Sequence, residues 1–150
     1  MAVSRAIRRL RQVRELEEEL SQAALESAVG QLRRMEAALE RVRERERAGR
    51  RQVTASAGTG DLVDRIAGLE ETRAGGRHAE VLRPRIGEME VVVAARRAEF
   101  LGRRMERRQV ETLMRRTEAE DAVEGGRRAQ RDLDDWFLSR AQGGGDENEE

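Results

Sequence analysis

From Leu25 onward the apolar positions recur at alternating steps of three and four: Leu25, Ala28, Leu32, Met35, Leu39 and Val42, then Glu46, Gly49 and Val53. A mean period of 3.5 residues keeps one stripe of a helix facing a partner helix and drives left-handed supercoiling. The preceding stretch keeps this rhythm in another phase, through Val3, Ala6, Leu10, Val13, Glu17, Leu20 and Ala24. Joining the phases takes successive steps of four (Leu20, Ala24, Ala28, Leu32), a stutter that would locally unwind the supercoil. No proline interrupts residues 2–53, so the pattern predicts one long helical arm.

The segment TASAGTG, Thr54 to Gly60, carries no apolar stripe and reads as a break. Thr59 or Asp61 would then cap a short helix from Leu62 to about Ala74, with Leu62, Val63, Ile66 and Leu69 on one side and Gly75-Gly76 at its end. A second long arm is expected to start between Glu80 and Pro84, because proline is tolerated in a first turn. Its seam would run through Leu82, Ile86, Met89, Val93 and Phe100, weaken over Arg103 to Arg108, and recover at Ala119, Ala122, Gly126, Ala129, Leu133 and Trp136. Gly125-Gly126 is either a flexible joint or a place of close contact, and residues 142–150 read as a disordered acidic tail.

Two narrow apolar stripes must be covered by something. An antiparallel hairpin does this within one chain, with Val3 near Arg140 and the midpoint near Glu71. The expected fold is therefore all-α: a long two-helix antiparallel coiled-coil hairpin, interrupted near its bend. It forms a single domain over residues 1–141, with arms at about 2–53 and 84–140 and a bend at 54–83. A parallel dimer of the first arm is the structural rival.

Composition supports helix over a packed globule. Charged residues make up 40% of the 150 and aromatics 2%, namely Phe100, Trp136 and Phe137, too few to build a compact core. High charge with few aromatics also marks disordered chains, but the periodicity favours helix. The 30 basic residues, all Arg, balance 30 acidic ones. They are not spread evenly: Arg5, Arg8, Arg9, Arg11 and Arg14 precede the first acid, Glu15, while Asp146, Glu147, Glu149 and Glu150 close the chain.

Candidate chemistry is sparse. With no cysteine, disulfides and thiolate chemistry are excluded. His78 is the sole histidine and no set of ligands converges with it, so no metal or cofactor is expected. Gly58-Thr59-Gly60 lacks the Gly-Lys-Ser/Thr that cradles phosphate. Carboxylates abound, but a two-stranded rod offers no desolvating pocket to shift a pKa for acid–base work. The chain is not expected to be an enzyme. No apolar run approaches the roughly 20 residues needed to cross a bilayer, and no signal segment opens the chain, so a cytoplasmic protein without a direct membrane span is expected. Surface binding by the Arg-rich N-terminal turn has few apolar partners beyond Val3, Ile7 and Leu10.

A basic segment followed by Leu25, Leu32 and Leu39 mimics a basic region plus zipper. Against a nucleic-acid partner stand the balanced charge, the lack of stacking aromatics, and a single Asn, Asn148, far from the basic segment.

The N-terminal run from Ala6, AIRRLRQVRELEEELSQAALESAVGQLRRMEAALERV, and the C-terminal run from Arg127, RRAQRDLDDWFLSRA, resemble the flagellar export protein FliJ family and the related stalk proteins of virulence type III secretion. The telling piece is Q-x-x-L-D-D at Gln130, Leu133, Asp134 and Asp135. The resemblance implies an antiparallel coiled coil acting as a non-catalytic stalk, cytoplasmic and peripheral to the inner membrane at the export apparatus. Its paired termini would dock into the hexameric export ATPase, through Ile7, Leu10, Val13, Gln130, Leu133, Asp134, Trp136 and Phe137. The far end would reach the cytoplasmic ring of the export gate, for which Leu62, Val63, Ile66 and Leu69 are candidates unless they pack back onto the hairpin. Escort of export chaperones is a further implication. A generic coiled-coil adaptor or scaffold is the alternative, and a basic-zipper-like nucleic-acid binder a more distant one.

Overall fold

The computed structural model describes residues 5–143, and among them only Gly60 and Asp61 are not helical. The chain is all-α: α1 spans Arg5–Thr59 (55 residues) and α2 spans Leu62–Gly143 (82 residues), packed against each other as a two-helix hairpin. The packing divides into two units, one of Glu17–Arg103 and the other of Met1–Leu16 with Arg104–Glu150. Val3 and the acidic tail beyond Gly143 lie outside the described residues.

In the Glu17–Arg103 unit the chain reverses in two residues. Gly60 has φ +75°, a left-handed conformation that glycine adopts without Cβ strain, and its N–H donates to Ser56 O at 2.9 Å. Asp61 then caps α2, its Oδ1 accepting from the N–H of Val63 at 3.0 Å and of Asp64 at 3.2 Å. The bend is thus far tighter than residues 54–83, and it centres on Gly60-Asp61 rather than near Glu71. All of TASAGTG but its last glycine is helical, with Ser56 buried on the seam, and its hydroxyls bond back to the preceding turn: Thr54 to Arg50 O, Ser56 to Val53 O, Thr59 to Ser56 O.

The seam of this unit follows the heptad. Along α1 the buried positions include Ser21, Ala28, Leu39, Gly49 and Ser56, with Leu25, Leu32, Met35, Val42 and Val53 half-buried between them. Steps of four, three and four join Ser21, Leu25, Ala28 and Leu32, so the unit needs no stutter; Leu20 is left 71% exposed. Along α2 the line runs through Gly68, Thr72, Gly75, Ala79, Leu82, Ile86, Met89, Val93 and Phe100. The heptad leucines of α1 are covered by α2, so the hairpin replaces the parallel dimer.

Near the turn the seam is made of small residues, and the helices come close. A methyl group at Gly49 would lie 2.7 Å from Gly68 O and 2.8 Å from Thr72 Oγ1. One at Gly68 would lie 2.8 Å from Gly49 O and 2.9 Å from Val53 Cγ2. Neither helix can carry a side chain at the crossing. Gly75 is likewise buried, its missing methyl 3.1 Å from Glu46 Cβ.

This explains two departures from the sequence reading. Gly75-Gly76 does not end a short helix; Gly75 is a seam position. Nor does a second arm begin at Pro84, which lies inside α2 on an exposed position. An interior proline costs about 3 kcal/mol. The seam on both sides of it, Ala79 and Leu82 then Ile86 and Met89, is buried or half-buried and holds the helix through that defect.

In the other unit, Val110 is 7% exposed, with Ile7 and Met114 half-buried. The neighbouring seam position on α1 is Arg14, whose Nη1 donates to Glu106 Oε2 at 2.7 Å. Leu10, Val13 and Leu16 remain 41%, 49% and 59% exposed. The expected stripe through Leu10 and Val13 is therefore off the seam, because Arg14 is turned inward to Glu106.

Candidate docking surface

In the unit of Met1–Leu16 with Arg104–Glu150 the two helices are of unequal reach. Arg14 faces Glu106, so Arg5, nine residues earlier, comes opposite about residue 115, nine residues later. α2 runs on to Gly143, and from Ala122 to Ala141 every residue is exposed. At 1.5 Å per residue this free segment is about 30 Å of helix.

It carries the chain's most unusual side chains. Trp136 and Phe137 meet edge to face, with ring centroids 5.0 Å apart at 77°. The Arg140 guanidinium lies 5.0 Å from the Trp136 ring centroid, one helical turn on, within cation–π range. Trp136 is nevertheless 49% exposed, Phe137 63%, Leu133 52% and Leu138 62%. Gln130 Nε2 donates to Asp134 Oδ1 at 3.1 Å, and Ser139 Oγ donates to Trp136 O at 2.9 Å. The Q-x-x-L-D-D run thus presents one polar link and one apolar ridge on a helix that no other described residue covers. Solvated aromatics beside arginine are the usual material of interface anchors.

The expected eight-residue cluster is split. Gln130, Leu133, Asp134, Trp136 and Phe137 share the free segment. Ile7, Leu10 and Val13 do not join them: with Arg14 at Glu106, these three lie opposite the 107–113 stretch of α2. No pairing of Arg5, Arg8, Arg9 or Arg11 with Asp134 and Asp135 across the hairpin is possible at that offset. The paired tip is corrected to a single helix. Leu138 and Arg140 belong to the surface and were missed; the step of four from Trp136 to Arg140 was the available signal.

In the Glu17–Arg103 unit, Leu62, Val63, Ile66 and Leu69 occupy the first two turns of α2 and are 66%, 76%, 51% and 39% exposed. They do not pack back onto the hairpin, because Gly68 takes the seam position between them. They form an exposed apolar cluster beside the turn. The same unit carries an ion-pair ladder on α1. Arg47 reaches Glu40 at 2.6 Å and Glu44 at 2.9 Å, and Arg51 reaches Glu44 at 2.8 Å. The Arg47 hydrogen bond holds the Glu40 carboxyl below its usual range, and those from Arg51 and Arg47 do the same for Glu44. Glu40 in turn raises Arg47.

Among the described residues no group of three or more His, Cys, Asp or Glu is placed to hold a metal, and no helix is long and apolar enough to cross a membrane. His78 is exposed, in a shallow groove with Ala38, Val42 and Leu82. No family model matches the chain, and no curated protein or solved structure does either.

Proposed function

We propose that the protein is a non-catalytic docking element, the stalk of a flagellar or related type III export apparatus. Its partner would be the hexameric export ATPase. The reading rests on the sequence resemblance and on one structural observation: the free end of α2 holds Leu133, Trp136 and Phe137 exposed on a helix that its own hairpin leaves uncovered. A stalk must offer an uncovered helix to the bore of a ring, and this segment is one. Here one helix would enter, rather than the paired termini. The apolar cluster Leu62, Val63, Ile66 and Leu69 beside the turn is the candidate contact for the export gate, and the exposed faces leave room for export chaperones. The protein would act in the cytoplasm, at the inner face of the membrane.

The test is co-purification with the export ATPase encoded in the same genome. The unaltered chain is expected to form a complex, and Trp136→Ala with Phe137→Ala to weaken it at least tenfold, as for paired aromatic anchors. Failure of the unaltered chain to bind the ATPase would remove the proposal.

A further inference from the structure

The free segment of α2, with the turn just before it, has a stripe of its own: Ala119, Ala122, Gly126, Ala129, Leu133 and Trp136, at steps of three, four, three, four and three. All six are exposed. At 3.6 residues per turn this stripe lies roughly 140° round the helix from the seam at Val110, Met114 and Thr117. The stripe therefore faces away from the side of α2 on which α1 packs. The stripe is graded, small side chains at one end and large ones at the other. Its spacing also reads the same in both directions.

We propose that this segment pairs with the same segment of a second copy, antiparallel. Reversal of one helix sets Trp136 against Ala119, Leu133 against Ala122, and Ala129 against Gly126, and each pairing then recurs by symmetry. Every layer holds one large and one small residue, or two small ones, so the two helices keep an even separation. A parallel pair would set Trp136 on Trp136 and Gly126 on Gly126, forcing the helices apart at one end and together at the other. Packing at interior density favours the first arrangement.

The flanking positions agree. In the antiparallel pair they juxtapose Val123 with Gln130, Gly125 with Asp132, Glu118 with Ser139, and Arg116 with Phe137. None is a like-charge pair. Arg127 and Arg128, which would repel their counterparts near the centre, fall on the outer face. Val123, Leu133, Trp136 and Phe137 are 57%, 52%, 49% and 63% exposed. With the alanines they would bury on the order of 1,000 Å² over both copies, the lower limit for a specific interface. The dimer is accordingly weak and concentration-dependent. It would cover the aromatic ridge until a tighter partner displaces it, and it stands independently of which partner that is.

The chain has no cysteine, so single introduced thiols report the arrangement cleanly. An equimolar mixture of full-length Ala122→Cys and Leu133→Cys chains is expected to give the mixed disulfide on oxidation. Ala122→Cys alone is expected to give almost none, its two copies being about 16 Å apart along the axis, beyond the roughly 7 Å limit for a disulfide. Sedimentation equilibrium of the unaltered chain is expected to show monomer–dimer exchange in the micromolar range, weakened at least tenfold by Trp136→Ala. A strict monomer through tens of micromolar, cross-linking of Ala122→Cys to itself, or dimerisation indifferent to Trp136→Ala would each overturn the proposal. A monomer that still binds the export ATPase would sink the dimer and leave the stalk reading standing.

Discussion

Gly75-Gly76 and Gly125-Gly126 are the same dipeptide on the same helix, and they do opposite things. Gly75 is buried on the seam, with Glu46 against the place where its side chain would be. Gly125 and Gly126 are exposed, with no heavy atom beyond the helix's own backbone within 4 Å of either missing methyl. Each glycine costs a helix about 1 kcal/mol relative to alanine. In the turn-bearing unit that cost is offset by close backbone approach, at Gly75 and more so at the Gly49–Gly68 crossing. In the free segment of α2 no contact among the described residues offsets it. The comparison separates glycine as a packing residue from glycine as a weak point in an uncovered helix.

The largest way to sharpen the contrast is to fill the crossing. Gly68→Val would place methyls on the Gly49 carbonyl and Val53, and is expected to destabilise by about 3 kcal/mol, at the upper end for overpacking. Thermal unfolding followed by circular dichroism should show a drop of roughly 6–12 °C. An unchanged melting temperature would mean the helices do not approach as closely as 2.7–2.8 Å at the missing side chains.

Next is a matched pair of truncations. Leu39, 8% exposed on the seam, should cost about 2 kcal/mol when replaced by alanine; Leu138, 62% exposed on the free segment, should stay within about 0.5 kcal/mol. Chemical denaturation of the two variants measures both. Equal losses would show that Leu138 itself is covered in solution.

Gly125→Ala is expected to act in the opposite direction to Gly68→Val. It should strengthen the free helix locally by about 1 kcal/mol, read as slower amide exchange over residues 122–141. Faster exchange there would show that Gly125 makes a close contact.

The smallest effect is electrostatic. Glu40 and Glu44 have folded carboxyl pKa values lowered from 4.5, so their contribution is present above that pH and lost as pH falls through the lower folded values. Both are exposed, so the loss on acidification should be slight and should shrink in high salt. A sharp unfolding step in that window, abolished by Glu40→Gln, would contradict this.

Much of the fold was legible. Leu25 to Val53 announced a heptad, and that heptad is the seam of α1. Leu82, Ile86, Met89, Val93 and Phe100 did the same for α2. The bend was misplaced for a local reason: TASAGTG, Gly75-Gly76 and Pro84 are all breakers by composition, and only one of them breaks. Which one depends on the seam, since Ser56 and Gly75 have packing partners and Gly60 alone takes the left-handed conformation. The N-terminal phase was misread because Leu10, Val13 and Leu20 look like a stripe, whereas the structure turns Arg14 and Ser21 inward. Of the candidate site, the Gln130–Phe137 cluster was visible as residues; its separation from Ile7, Leu10 and Val13 was not.

Periodicity and composition alone determined that the chain is all-α, with two long arms of period 3.5 that are poor in aromatics. Those properties are local, repeating every few residues, and a string of letters carries them in full. The offset between the helices belongs to the tertiary structure, set by a two-residue turn and by a glycine crossing that admits one register. The uncovered end of α2 is decided in the same way in its own unit, where Arg14 stands against Glu106 and leaves residues 122–141 exposed, because pairing between helices joins residues far apart in the chain that no local pattern relates.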